Sequence, residues 1–264
     1  MDKRIFRMVA GRIGFQKYFR MMHTLSVYGM NYGNGGDIKY SGEYFAAKYV
    51  KSKISEQPSA PVLFDVGANI GDYALKMAEI FADQKFAIHA FEPSNKTYQR
   101  LSENTSTKKG ITVNNVGLGE KETEEILYSN SDGSALASIY ERDLQRHGIS
   151  MDKKEVIKLT TVDNYCDAHA IGRIHFLKLD IEGHELFALK GASKLINSKN
   201  IDFIQFEFGG SNIDSRTYFR DFWDMLHDKY DFYRIVKDGL FPIKKYSEAC
   251  EIFDTINYLL ELKK

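Results

Sequence analysis

The sequence predicts an α/β domain whose mostly parallel sheet is covered by helices on both faces. From Pro61 onward, apolar strand-like runs alternate with helical stretches through short links. A glycine-rich turn joins the first of these runs to the helix after it. Strands separated by helices pair in parallel, because the helix returns the chain to the same edge.

The chain divides at about residue 57, into an N-terminal helical extension (1–57) and the main domain (58–264). Between Met1 and Met22 the basic residues Lys3, Arg4, Arg7, Arg12, Lys17 and Arg20 face only Asp2. Ile5, Phe6, Val9, Ile13, Phe15, Tyr18 and Phe19 are interleaved with them. This pattern suits a basic amphipathic helix, which either makes a peripheral contact with an anionic membrane or packs on the domain or on a second subunit of a homo-oligomer. Residues 29–36 form a turn-rich break. A helix over 41–54 follows, with Tyr44, Phe45, Ala47 and Tyr49 as packing candidates, and Pro58 and Pro61 end it.

In the domain, VLFDVG reads as a buried strand followed by a helix over 72–82 and a strand over 86–91. Ser94 is placed to cap a helix over 95–105 with its hydroxyl. Strands are expected over 111–118 and 124–128, then a polar loop over 129–138 and a strand over 155–161 ahead of a short helix. A strand over 174–179 leads into a helix over 185–196, and a strand over 203–208 into a helix over 216–229. Strands over 232–236 and 256–262 close the sheet.

With 264 residues, 43% hydrophobic and 27% charged, the composition is that of an ordinary globular protein. Thirty-six basic residues balance thirty-six acidic ones, so the whole molecule has no attraction to nucleic acid. Cys166 and Cys250 are too few for a disulfide framework. No secretory leader or long apolar span is read, and a cytoplasmic location, with membrane association through the basic segment, is the expectation.

The sharpest motif is Asp65-Val66-Gly67-Ala68-Asn69-Ile70-Gly71, between strand and helix. Glycines there let the chain turn tightly and a ligand approach the backbone. Glu92, 27 positions after Asp65, ends the second strand ahead of Pro93. A carboxylate at that place accepts hydrogen bonds from ribose hydroxyls. A dinucleotide fingerprint needs a second glycine to admit the pyrophosphate, and Asn69 stands there instead. That departure favours S-adenosylmethionine, which carries a ribose and no phosphate.

VLFDVGANIGDYALKMA, HAFEPS, NNVGLGE, LTTVDNY, FLKLDIEGHELFALKGA and IQFEF together resemble the FkbM family of methyltransferases, over roughly 41–208. The resemblance implies a Rossmann-like class I methyltransferase fold, with a seven-stranded, mostly parallel sheet and an antiparallel last strand. It implies O-methylation of a hydroxyl on a sugar, glycan or related natural product. By position, Asp65, Gly67, Ala68, Asn69 and Gly71 would line the methionine end of the cofactor, and Glu92 with Pro93 the ribose. Asn115 and Val116 would lie near the adenine, and 132–134 resembles a loop that covers the site.

Lys178, Asp180, Glu182, His184 and Glu207 cluster at the carboxyl ends of two strands, and the first three would share one face of an extended strand. Asp180 is the expected neighbour of the transferring methyl and the acceptor hydroxyl, with Glu182, His184 and Glu207 as further catalytic candidates. Such carboxylates and a histidine also have the chemistry to hold Mg²⁺ or Mn²⁺, but no metal is expected outright. His89 is read as a packing residue. Tyr218, Phe219, Phe222, Trp223 and Tyr233 offer an acceptor pocket, although helical spacing favours core. Two other readings stay open: a nicotinamide-dependent oxidoreductase, and a non-catalytic module that binds cofactor and a partner.

Overall fold

A computed structural model describes residues 7–35, 40–55 and 59–264 of the chain. Lys3, Arg4, Ile5, Phe6, Gly36 and Pro58 lie outside the described residues.

The strands are β1 (Val62–Val66), β2 (Ala87–Phe91), β3 (Ile111–Asn114), β4 (Gly117–Leu118), β5 (Thr123–Ser129), β6 (Lys153–Thr160), β7 (Ile174–Leu179), β8 (Ile201–Phe208), β9 (Tyr230–Val236), β10 (Gly239–Ile243) and β11 (Ile256–Leu262). The helices are α1 (Gln16–Gly29), α2 (Glu43–Ile54), α3 (Asp72–Ile80), α4 (Asn95–Thr105), α5 (Val162–Ala168), α6 (Glu185–Lys190), α7 (Ser193–Asn197), α8 (Ser211–Ser215) and α9 (Phe219–Leu226). Eight strands form the main sheet in the order β10-β9-β11-β8-β7-β1-β2-β3. β3, β2, β1, β7 and β8 run parallel, and β11 lies antiparallel between β8 and β9. This is the Rossmann-like α/β architecture that the sequence predicts, with one strand more than seven. The extra strand is β10, which folds back on β9 as a hairpin through Lys237 and Asp238.

Central strands are apolar on both faces because helices cover both. β7 is buried along its whole length. One cluster gathers Phe64, Val66, Leu177, Leu179, Phe206 and Tyr258 on one side. The other joins Leu63, Phe176, Ile88, Phe203 and Leu259 to Ala46, Ala47, Val50 and Ile54 of α2. The apolar face of α2 is thus Ala46, Ala47, Val50 and Ile54, while Tyr44 and Phe45 point to solvent.

Several elements differ from expectation, each for a local reason. The strand expected over 111–118 breaks at Asn115 and Val116, and its second half leaves to pair with β6. β4, β6 and β5 thereby form a separate three-stranded sheet. The helix expected over 185–196 breaks at Gly191, where a Cβ would collide with the Gly119 carbonyl oxygen. That expected over 216–229 begins at Phe219, after the separate turn α8. Ser94 occupies the N-cap of α4, but its hydroxyl accepts from Thr97 Oγ1 at 3.3 Å, not from backbone. Thr161 does cap α5, accepting from the Asn164 N–H at 3.0 Å. His89 is held by the Tyr165 hydroxyl at 2.8 Å and takes its place among packed rings.

Phe222 of α9 stacks on Phe206 with centroids 4.4 Å apart and no exposure, so it is core and not pocket. Phe222→Ala should therefore lower unfolding free energy by about 3–5 kcal/mol, read from the midpoint of a urea titration. A loss below roughly 1 kcal/mol would mean that α9 is not seated on β8.

Candidate active site

The site forms where the strand order reverses, at the carboxyl ends of β1 and β7, the place where open α/β sheets hold ligands. Gly67 leaves β1 with φ +83°, and a Cβ there would collide with the Asp180 carbonyl oxygen. Glycine thus permits a contact between two backbones that no other residue allows. The N–H groups of Gly67 and Ala68 both donate to the Phe91 carbonyl, at 3.1 and 2.9 Å, and tie the turn to β2. Asn69 adopts φ +47°, and its N–H donates to Glu92 Oε2 at 3.1 Å. Glu92 Oε1 accepts from the Ser94 N–H at 3.0 Å. Burial pushes the Glu92 carboxyl up to about 7, against the pull of these two donors.

Gly67, Asn69, Glu92, Pro93, Asp180, Glu182 and His184 line one crevice. Its opposite wall is apolar, made by Leu118, Leu127, Ile157 and Leu159 of the small sheet. Ser134 and Ala135 close one side, and Gly133 accepts weakly from Asn69 Nδ2 at 3.5 Å. Ala68 is buried behind the turn, and Gly71 caps α3. Asn115 donates through Nδ2 to the Glu92 and Pro93 carbonyls at 3.1 and 3.0 Å, bracing the turn from outside. Neither Asn115 nor Val116 lines the crevice, where Gly117 and Leu118 stand instead.

Beneath the turn, Lys178 is a buried cation between two carboxylates. Its Nζ stands 2.9 Å from Asp180 Oδ2 and 3.9 Å from Asp65 Oδ1, and 4.5 Å above the Tyr73 ring. Burial works against the ammonium, but Asp180, Asp65 and Glu43 outweigh it and hold the lysine above its usual range. Asp65 is itself pushed up to about 6 by burial. It supports the site from below and does not line it. Glu43, reaching in from α2, accepts from Gln205 Nε2 at 2.8 Å.

Lys178 and Asp180 share a side as an extended chain demands, but Glu182 does not continue the series. The strand ends at Leu179, and Glu182 sits at φ +50° in a turn. Glu185 shapes that turn, accepting the Ile181 and Gly183 N–H groups at 3.0 and 3.1 Å. Glu182 pairs with Arg142 Nη1, and Arg142 Nε reaches Asp214 at 3.3 Å. Burial raises Glu182 to about 7 even with that partner. His184 bonds Tyr140 through Nδ1 at 3.0 Å and stacks on Phe187, and burial lowers it to about 4. Glu207, on β8, lies outside the crevice. It faces Gly35, whose added Cβ would stand 3.1 Å from Glu207 Oε1. Burial first, then the carboxylates of Asp180 and Glu182, push Glu207 far above the usual range. Among the described residues, no three His, Cys, Asp or Glu side chains converge to hold a metal ion.

Sequence reasoning misses Tyr140, Arg142, Glu185 and the apolar wall. Glu185 follows Glu182 and His184 in the chain and could be read from that cluster. Tyr140 and Arg142 carry no local signal.

Residues 65–233 match the family model described as the methyltransferase FkbM domain. The chain is 26% identical over 163 residues to the hexuronic acid methyltransferase AglP of Haloferax volcanii, covering 61% of this chain and 62% of that protein. It is 30% identical over 168 residues to the methyltransferase sdnD of Sordaria araneosa, covering 53% of this chain and 64% of the relative. The aligned spans thus cover less than two thirds of either relative's length. The crystal structure of methyltransferase FkbM from Methylobacillus flagellatus aligns with a TM-score of 0.45 and 17% identity, over 81% of this chain and 47% of that one.

Arg142 is the cation that compensates Glu182. Arg142→Met should cost about 3 kcal/mol of stability, as removal of one partner from a buried pair does. Without the guanidinium, Glu182 rises further and is more readily kept neutral at low pH. The deficit should therefore grow as pH rises through about 7, in urea unfolding followed at several pH values. A pH-independent deficit would show that the loss is one of shape.

Proposed function

Because the chain belongs to the methyltransferase FkbM family, we propose that it transfers a methyl group from S-adenosylmethionine to a hydroxyl of a sugar, uronic acid or related natural product. The observation that supports this reading most is the single crevice shared by Gly67, Asn69 and Glu92 with Asp180.

The residues suit the cofactor. Gly67 and Asn69 present main chain at the crevice, where a ligand can approach closely. Glu92 keeps free lone pairs after accepting from Asn69 and Ser94, enough for ribose hydroxyls. Leu118, Leu127, Ile157 and Leu159 offer a flat apolar face for a purine. When bound, S-adenosylmethionine supplies a methyl on a cationic sulfonium, open to in-line displacement.

The chain's own task is then alignment and proton removal. Alignment of two reactants in a dry pocket is worth on the order of 7–11 kcal/mol. Asp180, steadied by Lys178, is the carboxylate at the crevice placed to take the acceptor's proton. Glu182 is engaged by Arg142 and His184 by Tyr140, so both shape the wall beside the acceptor. Glu207 stands behind Asp180, and its burial favours the neutral form, which can donate a hydrogen bond.

Calorimetry with S-adenosylhomocysteine should show one site, and product release against a panel of sugars and lipid-linked glycans should identify the acceptor. Binding of NADH with no heat from S-adenosylhomocysteine would overturn the reading. Asp180→Asn should lower kcat by about 10²–10⁴-fold while the affinity for S-adenosylhomocysteine stays unchanged; full activity in that variant would remove Asp180 from the chemistry.

Glu92 sets a pH dependence for binding. Its ionised form takes the ribose hydroxyls, and in the free protein it is half-protonated near 7. Affinity for S-adenosylhomocysteine should therefore rise with pH through about 7, and Glu92→Gln should be weak and flat over the same range. An affinity that falls with pH would contradict the ribose role.

A further inference from the structure

Helix α1 carries an apolar stripe that no other part of the described molecule covers. Tyr18, Met21, Leu25 and Tyr28 recur at helical spacing and are 58%, 55%, 63% and 66% exposed. Val27, on the other side, is the buried residue of the helix. Ile13 is 91% exposed and, with Phe15, extends the apolar surface toward the start of the helix. The rule of burial fails here over a contiguous patch, and such a patch marks an interaction site.

The charge around the stripe is of one sign. Lys17 and Arg20 belong to the same helix and Arg7 and Arg12 to the segment before it, and no Asp or Glu occurs from Lys3 to Gly36. In a chain whose charges balance as a whole, this leaves an excess of acid elsewhere and a basic arm here.

We propose that α1 and the turn before it dock this protein on an anionic lipid surface, with Tyr18, Met21, Leu25 and Tyr28 inserted among the acyl chains and Lys17 and Arg20 at the headgroups. Two features select this occupant. A nucleic acid would satisfy the cations but leave the apolar stripe in water. A second copy of the helix would bury the stripe but bring like charges together with no carboxylate to pair them, over 14 residues, a length at which helix pairs are marginal. An anionic bilayer satisfies both, and the long stems of Lys17 and Arg20 let their charges reach the headgroups while the helix lies flat. The inference is independent of the reaction, since α1 contributes nothing to the crevice.

The test uses the whole chain, sedimented with vesicles of phosphatidylcholine alone or mixed with phosphatidylglycerol. Binding should need phosphatidylglycerol and weaken as salt rises. Each cation near such a surface adds about fivefold, so Lys17→Ala with Arg20→Ala should lower the partition coefficient by roughly 25-fold. Leu25→Glu with Tyr28→Glu should abolish binding while S-adenosylhomocysteine affinity and melting temperature stay those of the parent. The idea fails if the parent chain stays in the supernatant, binds neutral vesicles equally well, or binds unchanged after the Leu25 and Tyr28 substitutions. A dimer in sedimentation velocity that those substitutions dissolve would assign the stripe to a second copy and likewise end it.

Discussion

The close approach of two backbones at the ends of β1 and β7 governs the carboxyl edge of the sheet. Gly67 turns against the Asp180 carbonyl, and the Asp180 N–H donates to Val66 at 3.0 Å. A side chain at Gly67 would push the strands apart, and with them the turn and the Asp180 carboxylate that line the crevice. β2 joins the same arrangement, because Phe91 receives two N–H groups from the turn and the Glu92 N–H donates to Asn114 at 3.0 Å. The binding groups thus belong to strand ends held in register, not to loops free to move relative to one another. Rigid placement of this kind is what an in-line transfer needs, since small misplacements cost rate steeply.

The electrostatics follow from that crowding. Asp65, Asp180 and Glu43 surround Lys178, while Glu182 and Asp214 share Arg142. Glu185 accepts backbone N–H groups, with no cation paired to it among the described residues, and burial raises it to about 8. Burial above all holds Glu92, Glu182, Glu185 and Glu207 above the ordinary carboxylate range. Glu207 is raised first by burial and then by the neighbouring charges of Asp180, Glu182 and Glu185.

The strand-helix order, the turn at 65–71 and its partner Glu92 are legible in the sequence because each is a local pattern: apolar runs, glycine at a forced φ, a carboxylate at a strand end. Asp180, Glu182 and His184 are legible for the same reason, as charge where an apolar strand stops. What escapes is whatever depends on distant approach. The strand expected over 111–118 has apolar residues in both halves and gives no sign that the second half pairs with β6. Gly191 looks tolerable within a helix until the Gly119 carbonyl is found against it. Arg142 and Tyr140 sit in an irregular stretch about 40 residues before the side chains they hold, and no spacing rule links them.

The family match begins at Asp65 and ends at Tyr233, and that span holds the turn, Glu92, the apolar wall and Asp180. The flank around Glu207 lies largely outside it. Gly35 rests on Glu207, the Gly33 N–H donates to the Thr255 carbonyl at 2.9 Å, and Asn257 pairs across from Glu207 on β11. Glu43 enters the Lys178 network from α2, also ahead of the match. The crevice is therefore built from the matched span, while Glu207 is packed by segments outside it. Those segments press Gly35 against a carboxyl that burial pushes far up, while on the crevice side the Ser138 hydroxyl donates to the Glu182 carbonyl at 2.8 Å. The 138–142 stretch thus bounds the crevice beside Asp180, with Tyr140 holding His184 and Arg142 holding Glu182.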